Sequence, residues 1–533
     1  MRSRSPVRIL LLVGLLAGGA QAAGYRVSGV VVNAATQAPV AGARITIAPI
    51  ERREERLPFV TGQDGRFLFA GIPQGKYELM AQRRGFLTAI YGARPNLSMA
   101  LVTGPGRNTD SLVLPLSPPA IISGRVMDDG GDPIGQANVQ LLSATIESGR
   151  RRLATAAIKT TDDTGEYRFA GLPAGSYYLA ASGYPWYAKF NQTHGDSHSL
   201  SHLGYGIRYY PNVSDPAAAA PILLKAGEDA NADFALPTVP AVTVAVAVER
   251  SEDIEKQFTL TAAGLPGNQV LLRRGTEAGD QYAFWGVPPG HYTVRVQSSD
   301  STHSWYARQP VDVGATDTEV SVTLLDASSL TGTVALEGGG HLPDSLSVLL
   351  HDAEDSGIQS APVGAGGRFS IPAMLPQHCR VTLKGPDEYY LRGWSVAGAR
   401  RQGDTLDIPG AAAVRLQLFA AQATGRIDGT VAQDGHAIPG ALVVLADQSK
   451  PENSRAVQSD SDGSYEFRGL PPGSYALFAV PDGADLEYAD PAAIRPYLGS
   501  ARKVRVSAGG AYTAHLELPA PTAGRPGAAS PAP

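Results

Sequence analysis

A short hairpin signature recurs along this chain, and its repetition constrains the fold more than any other feature. In its first copy Asp64-Gly65 leads into Phe67 and Phe69, then through Pro73-Gln74-Gly75 into Tyr77 and Leu79. The second copy carries Gly165, Tyr167, Phe169, Pro173, Gly175, Tyr177 and Leu179. A third has Tyr282, Phe284, Pro288, Gly290, Tyr292 and Val294, and a last has Asp462, Gly463, Tyr465, Phe467, Pro471, Gly473, Tyr475 and Leu477. Asp-Gly suits a tight turn, aromatics two apart share one strand face, and Pro-x-Gly predicts a type II turn with its glycine at the third position. The signature therefore reads as a β-hairpin and requires no catalytic explanation.

A second pattern precedes each hairpin: Ser28-Gly29-Val30-Val31 with Pro39 to Ile47, Ser123-Gly124-Arg125-Val126 with Pro133 to Leu141, and Asp428-Gly429-Thr430-Val431 with Pro439 to Val443. Alternating strands, turn residues every ~8 to 12 positions and no long helical period predict an all-β chain, a tandem array of about five antiparallel β-sandwiches. A fourth, divergent unit keeps Thr331-Gly332-Thr333-Val334 and Gly367-Arg368-Phe369-Ser370-Ile371 but loses the Pro-x-Gly turn. There Cys379, the only cysteine, takes the place of the hairpin tyrosine and reads as a small buried hydrophobe. The expected boundaries are 23–118, 119–238, 239–327, 328–421 and 422–518. Short connections containing proline, at 115–119 and 236–240, suggest a monomeric, elongated array.

Residues 1–22 read as a cleavable secretory signal, with Arg2, Arg4 and Arg8, an apolar stretch at 9–17 and a cut after Ala22. Residues 519–533, rich in proline and alanine, suit a disordered tail. No stretch approaches the ~20 apolar residues of a membrane helix. A periplasmic or extracellular location follows. With 45 Lys and Arg against 50 Asp and Glu, a net charge of −5, nucleic acid is not an expected partner.

These residues resemble the carboxypeptidase regulatory-like domain family, close to the Cna protein B-type and starch-binding-like sandwiches. The resemblance implies a prealbumin-like (transthyretin-like) sandwich serving as an accessory module, with some relatives binding carbohydrate and others acting as spacers. It does not bring a peptidase. His351-Asp352-Ala353-Glu354 is the only fragment like a zinc carboxypeptidase motif, and it sits at the end of a predicted strand, where residues three apart point to opposite faces. Cna B-type units often carry a Lys-to-Asn crosslink from the first strand, and the first strands here hold no lysine, so none is expected.

Two features remain for binding. His194, His198 and His202, spaced by four beside Gly195 and several serines, read as a solvated loop rather than a metal helix. Aromatics follow the hairpins, chiefly Trp186, Tyr187, Tyr205, Tyr209 and Tyr210 in the second unit and Trp305 and Tyr306 in the third. Exposed, they would stack on sugar rings; buried, they would cover a sheet edge or seal a joint between units. The expectation is an exported, non-catalytic scaffold without cofactors or metal, its partner a polysaccharide or an envelope protein. A carbohydrate-binding protein using the second-unit aromatics is the alternative, and a hydrolase with an unrecognised site the remote one.

Overall fold

A computed structural model of the chain describes residues 24–518 apart from 186–202, 250–253, 266–268, 279–280, 301–302, 353–357, 387, 482 and 484. The expected signal segment and tail lie outside the described residues. The architecture is all-β, with five large hydrophobic clusters strung along the sequence, each between two packed sheets.

The first sandwich sets the pattern. Strand Tyr25–Asn33 lies between Arg66–Ile72, antiparallel, and Leu112–Leu116, parallel. The facing sheet holds Leu57–Val60, Arg44–Pro49 and Gly75–Gln82 in that order, with Ala89–Ile90 and Leu101–Thr103 along its far edge. The two halves of the hairpin signature thus belong to different sheets. Phe67 and Phe69 face Tyr77 and Leu79 across the core, as alternation demands. The strand Ala120–Asp128 of the second unit and Gly425–Gln433 of the fifth occupy the same central place.

Glycine in the first strand is a packing requirement. A Cβ on Gly29 would lie 2.1 Å from the Leu112 carbonyl oxygen, on Gly124 2.2 Å from that of Ala232, and on Gly429 1.8 Å from that of Ala514. The last strand approaches closely there, and the hydroxyls of Tyr167 and Tyr465 donate to the same Ala232 and Ala514 carbonyls.

One turn assignment is corrected. Positive φ falls not on Gly75, Gly175, Gly290 and Gly473 but on Gly71, Gly171, Gly286 and Gly469, at 62–80°. Each of these sits where the register with the first strand slips by one residue, so the glycine is the extra residue of a β-bulge.

The fourth sandwich departs from its neighbours. Its first sheet has four strands, in the order Arg368–Met374, Ser328–Leu336, Ala413–Gln422 and Tyr389–Ala397. The last-placed strand of the pattern has grown to ten residues and acquired a partner on its far side.

The first and fifth sandwiches touch. Leu97 packs into a cluster formed by Leu442, Val444, Phe478 and Ile494 of the fifth unit. The segment Thr238–Pro240, read as linker, is itself a strand paired with Leu203–Tyr205. One α-helix is found among the described residues, Pro491–Leu498, capped by Asp490, whose carboxylate accepts from the Ala492 N–H at 3.0 Å.

Candidate functional site

The signature residues are consumed by their own hairpins. Tyr77, Tyr177, Tyr292 and Tyr475 donate their hydroxyls to the carbonyls of Pro73, Pro173, Pro288 and Pro471 at 2.8–3.0 Å. Each ring lies over the glycine two residues before it, 3.3–3.6 Å from where a Cβ would stand. A methyl group there would be in ordinary contact with the ring at Gly75 and Gly175 and tight by a few tenths of an ångström at Gly290 and Gly473. Burial raises all four phenols, Tyr292 and Tyr475 to about 12. A further repeated device carries no hydrophobic signal: Thr61, Thr161 and Ser459 are buried hydroxyls. Each donates to the Val40, Ile134 or Ile438 carbonyl and accepts from the Ala43, Ala137 or Ala441 N–H at 2.6–2.9 Å.

The candidate aromatic site does not assemble as an exposed platform. Trp186, Tyr187 and the three histidines at 194, 198 and 202 lie outside the described residues. Tyr205, Tyr209, Trp305 and Tyr306 are buried and Tyr210 is half-buried, so the expected open rings are absent at these positions. Tyr209 is 2% exposed and packs with Leu142 and Ala180 of its own unit against Leu265 and Val270 of the third. Its phenol is pushed up to about 12 by desolvation, helped by the charge of Asp215. Tyr205 ends the strand that pairs with the connection to the third unit. Tyr306 seats its hydroxyl beside Gly410 of the fourth unit, 2.1 Å from the position of an absent Cβ. Trp305 belongs to the third core and stacks on His303. In the fourth unit Trp394 is buried with the Arg401 guanidinium 4.3 Å above it.

The hairpin of the second unit, Asn138–Glu147 and Arg150–Thr160, reaches the other units. Its two-residue turn has Ser148 at φ 48° and Gly149 at φ 78°, both left-handed as such hairpins require. Asn96 of the first unit donates to the Ile146 carbonyl at 2.9 Å. Ala489 of the fifth donates to the Gly149 carbonyl at 2.9 Å, and Glu487 accepts from the Arg151 N–H at 3.1 Å. Tyr488 covers Gly149 so closely that a Cβ would come within 2.6 Å of its ring. Glu147 and Arg152 lie near enough to His351 of the fourth unit to act on it electrostatically. Desolvation lowers its pKa, with Arg380 and Arg152 adding to the effect and Glu147 opposing it.

The hairpin-entry turn of the fifth unit binds the first. Asp460 accepts from Lys76 Nζ at 2.6 Å and from the Ala100 N–H at 2.8 Å. Ser461 accepts at Oγ from the Val102 N–H, its own N–H donates to the Ala100 carbonyl, and Asp462 pairs with Arg107 at 2.9 Å.

Chemistry is sparse. His351 hydrogen-bonds Thr382 at 2.9 Å, Glu354 lies outside the described residues, and Cys379 is fully buried in the fourth core. Among the described residues no three His, Cys, Asp or Glu side chains group as metal ligands. No helix among them is long and apolar enough to cross a membrane.

The family comparison agrees with the resemblance read from the sequence. The carboxypeptidase regulatory-like domain model matches residues 26–101, 121–198 and 426–519. Among solved structures, a streptococcal ancillary pilin is similar at 12% identity over 56% of this chain and 99% of that one, with a TM-score of 0.17. The minor pilin of Streptococcus agalactiae is similar at 14% over 41% and 97%, TM-score 0.22. The major pilin subunit of Bacillus cereus is similar at 11% over 75% and 99%, TM-score 0.14. None of the curated proteins compared with the chain matches it.

Proposed function

We propose, for a chain whose residues 26–101, 121–198 and 426–519 are carboxypeptidase regulatory-like domains, that it works as an exported, non-catalytic scaffold. The observation that carries this reading is the use of the repeated residues. Signature tyrosines, glycines and buried hydroxyls are spent on hairpins, strand approach and joints, while the turn at Asp460–Asp462 and the hairpin at Ser148–Gly149 hold separate sandwiches together. Such an array fixes the relative positions of its exposed surfaces. Export rests on the sequence of residues 1–22, and the partner is a component of the cell envelope.

The test is recovery of the native chain from envelope material after mild cross-linking, beside turnover assays with peptide, ester and glycoside substrates. A stoichiometric partner and no turnover support the scaffold; turnover lost on a single side-chain substitution contradicts it. A carbohydrate reading through the second unit would rest on Trp186 and Tyr187, because the other rings of that set are buried or half-buried.

A further inference from the structure

We propose that the outer face of the four-stranded sheet in the fourth sandwich binds an extended anionic polysaccharide. This goes beyond the scaffold reading and does not depend on it. The face forms a shallow groove of ≈ 870 Å³ over strands Ser328–Leu336 and Ala413–Gln422, flanked by Arg368–Met374 and Tyr389–Ala397. A volume of this size is typical of ligand sites, which run to roughly 1,000 Å³.

The register places its side chains. Thr331 lies between Ser370 and Arg415, and Thr333 between Arg368 and Gln417, with Ser395 beyond Gln417. All of these are exposed. In the next row Phe419, 44% exposed, sits between Ala335 and Gly393, so small neighbours leave the ring uncovered. The groove residues include two guanidiniums and no carboxylate, although the chain as a whole is acidic. Neither Arg368 nor Arg415 is held in an ion pair among the described residues. Two strand spacings and one pleat repeat put their Cα atoms about 12 Å apart.

The chemistry selects the ligand. The guanidinium forks take carboxylates, the hydroxyls and the Gln417 amide take sugar hydroxyls, and the phenyl ring takes an apolar sugar face. An acidic peptide strand fits poorly. Strand addition needs an open edge, whereas Ser328–Leu336 and Ala413–Gln422 are interior strands with their backbones paired on both sides. The unit that lost the hairpin signature is also the one whose sheet widened to make this face.

The test titrates the full chain with polygalacturonate, with neutral dextran and with polyglutamate. A second arm uses an Arg368→Gln, Arg415→Gln variant whose melting temperature matches that of the parent. The expected result is binding of polygalacturonate that weakens with salt, falls at least tenfold in the variant, and exceeds binding of polyglutamate at least tenfold, with none to dextran. In the unmodified protein the polymer should also protect both arginines from dicarbonyl modification. No binding, equal binding by the variant, equal binding of polyglutamate, or no protection would each overturn the proposal.

Discussion

The ammonium of Lys76 lies 2.6 Å from the carboxylate of Asp460, 384 positions along the chain. This contact joins the first sandwich to the fifth, and Asp460 also accepts the Ala100 N–H. The array is therefore closed, held by a turn whose local counterpart in the second unit, at Asp162, accepts among the described residues only from its own hairpin.

Asp460→Ala removes a largely buried acceptor of two bonds. Bonds to charged groups contribute about 1.5–3 kcal/mol, and Lys76 is exposed enough that most of the loss falls on the Ala100 amide. Hydrogen exchange should speed up at Ala100 and Val102 while the amides of Val443 and Leu445, in the fifth core, stay protected.

Gly149→Ala is predicted to be worse than an ordinary glycine substitution. Both the left-handed backbone and the Tyr488 ring oppose the new methyl group. Gly131→Ala, at φ 87° with nothing within 4 Å, isolates the backbone share. Thermal unfolding should show Gly149→Ala losing at least about 1 kcal/mol more than Gly131→Ala.

Tyr475→Phe keeps the ring and deletes the bond to the Pro471 carbonyl, for a loss of about 1 kcal/mol. Gly473→Ala should cost less, since the ring, 3.3 Å from the new methyl position, need give by only a few tenths of an ångström and the backbone there is not left-handed. Equal melting temperatures for the two variants would contradict the packing account.

Alkali should unfold the chain through its buried phenols. Tyr209, Tyr292 and Tyr475 are raised to about 12, chiefly by desolvation, from an ordinary value near 10. A raised folded pKa contributes stability that is complete below pH ~10 and lost as pH climbs towards 12. Tyrosinate absorbance for these groups should rise together with the loss of the β-sheet circular dichroism signal, not before it.

Local structure was legible in the sequence because its causes are local. The entry turns at Gly65, Gly165 and Gly463 are left-handed as read, and the alternating aromatics enter the cores. The bulge glycine was misassigned because Gly71 and Gly75 look alike until the register with Tyr25–Asn33 shows which one is extra. The joints left no periodic trace. Gly149, Gly410 and Asp460 are surface residues of their own units, and only a partner in another unit, more than a hundred positions away, gives them meaning. The aromatic positions were legible as a recurring set, yet composition alone does not say whether a ring such as Tyr209 meets solvent or a neighbouring sandwich. The groove on the fourth unit was hidden in the loss of a motif, with its residues drawn from four strands that pair out of sequence order.

Closure is tested most directly by zero-length carbodiimide cross-linking of the dilute, unmodified protein, followed by peptide mass spectrometry of the monomer. The closed array predicts an amide between Lys76 and Asp460, alongside one between Lys450 and Asp404 at 2.8 Å, which joins the neighbouring fourth and fifth units. Recovery of the Lys450–Asp404 link without the Lys76–Asp460 link would show an open chain and contradict the account.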